Sequence, residues 1–222
     1  MKKILSALLI LAVLAIVIFL YATRGASAPT VVVETPTDIP ADTAPTATTT
    51  YRVNPETSTA SFSIGEDLRG ARFTAIGTTN QVSTDVIIAS DGGISVGTVS
   101  VNARTLKTDD SRRDGAIARL ILKSESPENE FITFTPNAFS AENTPKLIEG
   151  QTTTFPLSGN LTISGVTKPA TFTATLTKSG ETLTGTVSGQ IKRSDFGISV
   201  PSLPFIANVD DVVALTATVT LQ

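Results

Sequence analysis

In the stretch ETLTGTVSGQIK, Glu181 to Lys192, residues Thr182, Thr184, Thr186, Ser188 and Gln190 alternate with Leu183, Gly185, Val187, Gly189 and Ile191. A period of two sends one set to each face of a β-strand, and no helix can separate them this way. One face is dry and the other is uncharged and rich in hydroxyls. The pattern returns in Ser58–Ile64, where Ala60, Phe62 and Ile64 oppose Thr59, Ser61 and Ser63, and in Thr171–Thr177, where Phe172, Ala174 and Leu176 oppose threonines. Further runs at Val82–Ala89, Ile94–Asn102, Phe131–Phe139, Phe155–Ile163 and Val212–Leu221 bring the strand count to about eight, each bounded by Gly, Pro, Asn or Asp. The expected fold class is therefore all-β, an antiparallel barrel of about eight strands with room for side chains or a small ligand.

Threonine suits the outer positions because its branched Cβ fits a pleated surface while its hydroxyl meets water. Gly185 and Gly189 fall among the inward positions, where a missing side chain either lets the strand coil sharply or leaves volume in the lumen. One segment departs from the β pattern. In SRRDGAIARLIL, Ser111 can cap a helix, Asp114 follows three residues later, and Ile117, Leu120 and Ile121 recur at helical spacing. Gly115 weakens that helix by about 1 kcal/mol relative to Ala, so only two or three turns are expected.

The chain has 222 residues, and its first 50 have a different character. From Ile4 to Ala22 it carries no charge, and at about 1.5 Å per residue this run nearly matches the roughly 30 Å hydrocarbon core of a bilayer. Residues 1–24 read as a signal anchor crossing the membrane once. Lys2 and Lys3 against Arg24 place its N-terminus in the cytoplasm and the remainder outside, in the cell membrane's extracytoplasmic space. Ala26-Ser27-Ala28 resembles a cleavage site, so release as a secreted or periplasmic protein is the alternative. Residues 25–50, with Pro29, Pro36, Pro40 and Pro45, read as a semi-extended linker. Residues 51–222 are the expected barrel domain, long enough for one core.

The chemistry is bounded by what the chain lacks. It has no histidine and no cysteine, which removes the commonest general base, the thiolate nucleophile and the usual zinc or copper ligands. No G-x-S-x-G elbow and no Ser-x-x-Lys pair occurs. Asp109-Asp110 and Asp210-Asp211 belong to no alternating calcium loop and read as turn-forming surface acids. The 17 basic residues against 20 acidic ones give a net charge of −3, with no footprint for nucleic acid. No catalytic residue, metal site or cofactor is expected, and the sequence assigns no oligomeric state. A mostly apolar cavity with a few polar groups at its edge points instead to binding.

LTISGVTKPATF resembles the L-T-I-x-G-V-T-K-P signature of the YceI-like family, and IKRSDFGI resembles its R-x-D-F-G-I stretch. SRRDGAIARLIL followed by ENEFITF resembles its R-D … L … F/Y-P-x-I-x-F region, and NVDDVVALTATV its D-x-V-x-L closing strand. These stretches occur in the family's order across Tyr51–Gln222. GARFTAIGTTN meets the family's G-x-F-x-x-F-x-G turn loosely, and SFSIGEDLRG lacks the histidine often found there. The resemblance implies a lipocalin-like barrel, secreted or periplasmic, that holds a polyisoprenoid or related long amphiphile in its lumen and has no established catalytic step. Carried onto this chain, lumen candidates are Phe62, Phe134, Phe172, Leu183, Val187, Ile191 and Phe196. Arg113 and Arg193 are either contacts for a ligand's polar head group or, with Asp114, Asp195 and Gly197, caps and braces at the barrel end. The expected protein is a membrane-tethered carrier of an apolar ligand; the alternative is a structural or adhesive β module with a solid core.

Overall fold

The computed structural model describes residues 47–68, 70–201 and 206–222. The expected membrane span and nearly all of the expected linker lie outside the described residues. Among the described residues no helix is long and apolar enough to cross a membrane.

The strands are β1 Thr48–Arg52, β2 Thr59–Leu68, β3 Ala71–Thr79, β4 Val82–Ser83, β5 Asp85–Ala89, β6 Ile94–Val96, β7 Val99–Asn102, β8 Phe131–Pro136, β9 Thr152–Ile163, β10 Val166–Ser179, β11 Thr182–Lys192 and β12 Ile206–Leu221. β1 begins three residues inside the stretch expected as linker. The twelve reduce to eight longer runs, because β1–β2, β3–β4–β5 and β6–β7 are each one strand broken by short kinks. β2 pairs β3 and β1 pairs β5; β4 pairs β7 and β5 pairs β6; β7 pairs β8 and β8 pairs β9. From there β9–β10, β10–β11, β11–β12 and β12–β2 complete the circuit. Among the described residues every pairing between these strands is antiparallel, and each run has a neighbour on both sides. The sheet thus returns on itself as a lipocalin-like barrel, interrupted only at the kinks and where neighbouring strands splay.

Turn chemistry and proline placement explain the splay. Ser164 and Gly165 both have positive φ, 48° and 78°, as a two-residue hairpin turn of type I′ requires. The flanking pair Ile163–Val166 is then hydrogen bonded, and pairs alternate from there. Pro169 opposite Asn160 and Pro156 opposite Thr173 fall in non-hydrogen-bonded pairs, so their nitrogens point to the outer neighbours, β11 and β8. Those neighbours have already parted: β11 stays in register with β10 only as far as Ser188–Thr173, and β8 with β9 only over Thr133–Pro136. No ladder bond is lost to either proline.

The helix has the expected length but is less regular than its spacing suggests. α1 spans Ser111–Ala116 and continues as a π turn over Ile117–Ile121. Its cap is Asp110, not Ser111: the Asp110 carboxylate accepts from the Arg112 N–H at 2.8 Å. The β9–β10 turn is tied to the end of this segment by the Ser164 hydroxyl, which donates to the Leu122 carbonyl at 2.8 Å.

The barrel has two unlike ends. At the base, the three-stranded patch β1-β5-β6 folds over the interior. The chain's last residues join it there, with Arg52 and Gln222 exchanging two backbone hydrogen bonds at 2.8 and 2.9 Å. Leu183 and Leu221 face each other across β11 and β12 and are wholly buried, 0% exposed. The opposite end, the rim, carries α1 and the β9–β10 turn. Truncating Leu183 to Ala leaves a base cavity that its locked neighbours cannot fill, so unfolding free energy falls by about 2–5 kcal/mol. Urea titration followed by circular dichroism checks this, with the midpoint lowered and the slope unchanged.

Candidate functional site

The inward residues of the barrel wall enclose a cavity of about 160 Å³. Its lining is aliphatic and aromatic; the polar residues on it are the hydroxyl-bearing Ser61, Thr84 and Thr216. The engineered cavity that binds benzene measures about 150 Å³. This lumen therefore has room for roughly one benzene, or on the order of one five-carbon isoprene unit.

Of the residues expected to line the lumen, Phe62, Phe134, Phe172 and Val187 do so. Leu183 lies below the cavity in the packed base, where Leu221 and its neighbours leave no free surface. Ile191 and Phe196 sit at the rim, beside a separate depression of about 430 Å³ that opens where β10 and β11 part. Lys168, Gln190, Lys192 and Asp195 flank that depression. Lining residues not anticipated from the sequence include Leu157, Leu161, Val99 and Leu215. Their parity along the strands is the signal that points to them.

The inward glycines hold the rings against the wall. Gly77 faces Phe62 across β3 and β2, and a Cβ added at Gly77 would overlap the Phe62 ring. A Cβ at Gly189 would come within 2.6 Å of Phe172 Cδ1, and one at Gly159 within 2.8 Å of Phe134 Cζ. Gly185 receives Leu176 in the same way, its Cβ position 2.5 Å from Leu176 Cδ2. The two glycines whose purpose the sequence left open thus neither leave empty lumen nor merely ease bending. They are occupied by the side chain next door. Phe134 and Phe172 then meet edge to face, centroids 5.0 Å apart at 89°, a geometry the ring quadrupoles favour.

Both arginines singled out from the sequence lie at the rim, on either side of the β2–β12 pair. Arg113 Nη2 donates to Glu66 Oε1 at 3.0 Å and its Nη1 to Asp109 Oδ1 at 2.5 Å. Glu66 is buried, 5% exposed, because position 66 continues the inward series of Ala60, Phe62 and Ile64. It escaped notice in the sequence, although the alternation alone marks a carboxylate on the dry face. Arg193 is spent on backbone: its guanidinium donates to the carbonyls of Asp210 at 3.0 Å, Ile198 at 2.9 Å and Val209 at 3.2 Å. The Val209 and Asp210 carbonyls lie at a bulge in β12, where the register with β2 shifts between Val209 and Val213, and the Ile198 carbonyl lies in the connection before that strand. Asp211 in the same bulge accepts from the Ser194 hydroxyl at 2.7 Å and N–H at 3.0 Å, bonds that pull its carboxyl below the ordinary range.

Asp114 is also structural. Burial opposes its ionisation, but the Thr108 N–H at 2.7 Å and hydroxyl at 2.8 Å, with Lys107 nearby, outweigh that and lower its pKa. Among the described residues no group of three metal-ligating side chains comes together.

An antiparallel, eight-run barrel with an apolar lumen and a polar rim defines a lipocalin-like fold. The YceI-like domain pattern matches residues 51–221, and the chain belongs to the YceI-like family. Among solved structures, Burkholderia cenocepacia BcnA matches with a TM-score of 0.57 at 18% identity, covering 76% of this chain and 98% of that one. A polyisoprenoid binding domain from Saccharophagus degradans, implicated in plant cell wall breakdown, matches with a TM-score of 0.58 at 12% identity, covering 78% and 97%. At these identities the likeness is one of fold. No curated protein matches the chain.

Two outcomes follow from the rim. Because the folded pKa of Asp114 lies below its unfolded value, its contribution to stability is present above about pH 4 and is lost as pH falls through the folded pKa. Asp114→Asn therefore lowers stability at pH 7 by about 1–3 kcal/mol and makes the acid branch of a stability-against-pH curve shallower. Arg193→Met strands three backbone carbonyls, so the urea midpoint drops, while a brace with no ligand contact leaves the affinity of the folded protein for apolar chains unchanged.

Proposed function

We propose that this protein binds an apolar chain, a polyisoprenoid or another lipid, with its hydrocarbon end in the barrel lumen. The observation that carries the reading is the cavity itself: a wall of aliphatic and aromatic side chains with no charged group on it. Each CH₂ transferred into such a site contributes about 0.8 kcal/mol before ordering costs. Family membership and the polyisoprenoid binding domain of Saccharophagus degradans support it. A head group stays outside, at the rim, because no charged partner awaits it within. At about 160 Å³ the lumen accepts the tip of a chain, and a longer insertion requires Phe62, Phe134 or Phe172 to turn aside.

Binding, not catalysis, is the activity proposed, since no histidine or cysteine exists to serve as base or nucleophile. The apolar run Ile4–Ala22 behind Lys2 and Lys3 supports a carrier held to the cell membrane by its N-terminal segment, with the barrel on the extracytoplasmic side. A second reading, a structural β module, draws on the base: Leu183 and Leu221 are 0% exposed, so that end of the interior is packed solid.

Native mass spectrometry and solvent extraction of the membrane-derived full chain separate the two readings. The carrier reading expects a co-purifying prenyl lipid, and a melting temperature that rises on titration with a polyprenyl alcohol. A protein that arrives empty and takes up no such alcohol is the structural module. The intact mass from the same run reports whether the first residues are retained.

A further inference from the structure

We propose that Gly77 and Gly189 set the bore of the lumen, and that by doing so they restrict its occupant to a slender hydrocarbon chain, straight or methyl-branched, excluding fused-ring lipids. The inference rests on the carrier reading above and adds to it which residues decide the ligand's width. Phe62 stands opposite Gly77 across the β2–β3 pair, and Phe172 lies against Gly189 just beyond the last paired residues of β10 and β11. In both places the atoms that would meet a new Cβ belong to the ring alone. The ring is the part that must yield. Behind it is the sheet, so the free direction is inward.

Size then decides the effect. The cavity of about 160 Å³ is close to the volume that accommodates one benzene, and a displaced phenyl ring is the same object. One ring swung off its glycine fills the lumen. Gly159 holds Phe134 similarly, but a Cβ there also lies 2.8 Å from the Pro136 Cα, so a substitution would disturb backbone and does not isolate the bore.

The test uses the full-length chain in phosphatidylcholine nanodiscs, with benzene and farnesol as probes and cholesterol as the fused-ring comparison. Wild type takes up benzene, by saturation-transfer NMR, and farnesol, by native mass spectrometry, but not cholesterol. Gly77→Ala and Gly189→Ala each weaken both probes by at least about tenfold, equivalent to about 1.4 kcal/mol. The double variant Gly189→Ala/Phe172→Leu, whose smaller side chain no longer meets the new methyl, returns to within about threefold of wild type, a coupling that nonspecific damage would not produce. Should Gly189→Ala fail to fold, the double variant and Gly77→Ala still decide. Benzene uptake unchanged in the single variants, no uptake by wild type, or no recovery in the double variant overturns the inference. Benzene uptake that depends on the glycines in a protein indifferent to farnesol refutes the carrier reading and leaves the bore assignment standing; farnesol binding indifferent to them does the reverse.

Discussion

Closure of the sheet is the constraint on which everything else in this molecule depends. A strand edge left open exposes a row of unpaired N–H and C=O groups, and a barrel removes that edge by giving each strand two neighbours. Here closure demands that β1–β2, β3–β5 and β6–β7 each bend part-way along, so that one portion joins the main wall and the other folds into the base. The bends produce the asymmetry between the ends. At the base the extra portions bring Tyr51, Val86, Ile88 and Ile94 over the interior and seal it. At the rim the wall has no such cover, and its final turns are held by polar groups.

Those polar groups explain why arginines attract attention in the sequence and yet act within the fold. The Val209 and Asp210 carbonyls of the β12 bulge and the Ile198 carbonyl from the connection before that strand converge on one guanidinium, and carbonyls left without a donor are costly. Arg193, with five donors in a planar fork, can satisfy all three at once; Lys could not hold that geometry. Gly65, opposite the bulge, has no side chain because the Arg72–Asp210 ion pair occupies the space. The same logic makes Glu66 tolerable on the dry face: Arg113 reaches down from α1 to neutralise it, joining helix to wall.

Much of this was legible in the residues, and the limits have physical causes. The period of two in β2, β10 and β11 identifies the fold class and the inward faces, because burial on one side enforces it. Strand ends were harder. β10 runs back through Pro169 to Val166, five residues beyond the run read from Thr171, and β9 carries Pro156 near its start; each proline is harmless because its neighbouring strand has splayed away, a fact of tertiary pairing. The helix was placed correctly, but its cap moved to Asp110, since Thr108 and not the N-terminal turn claims Asp114. Among the lumen candidates, parity was right for Leu183 and Ile191, yet depth along the barrel separates the packed base, the cavity and the rim. Parity carries no information about depth. Gly185 and Gly189 show the same limit from another side: an inward glycine announces missing volume, while what fills that volume lies on another strand.

The balance between a filled and a hollow interior follows from these particulars. A barrel of this size has enough inward positions to pack solid, and the base does so with leucines at the positions nearest the closed end. Further up, the wall alternates aromatic with glycine across neighbouring strands, so the largest side chains lie along the sheet instead of across the axis. Flattened rings bury their faces against backbone and still present an apolar surface inward. The interior thereby keeps the stability of aromatic burial together with an apolar cavity of about 160 Å³, while Glu66 and Arg113 are committed to each other at the rim.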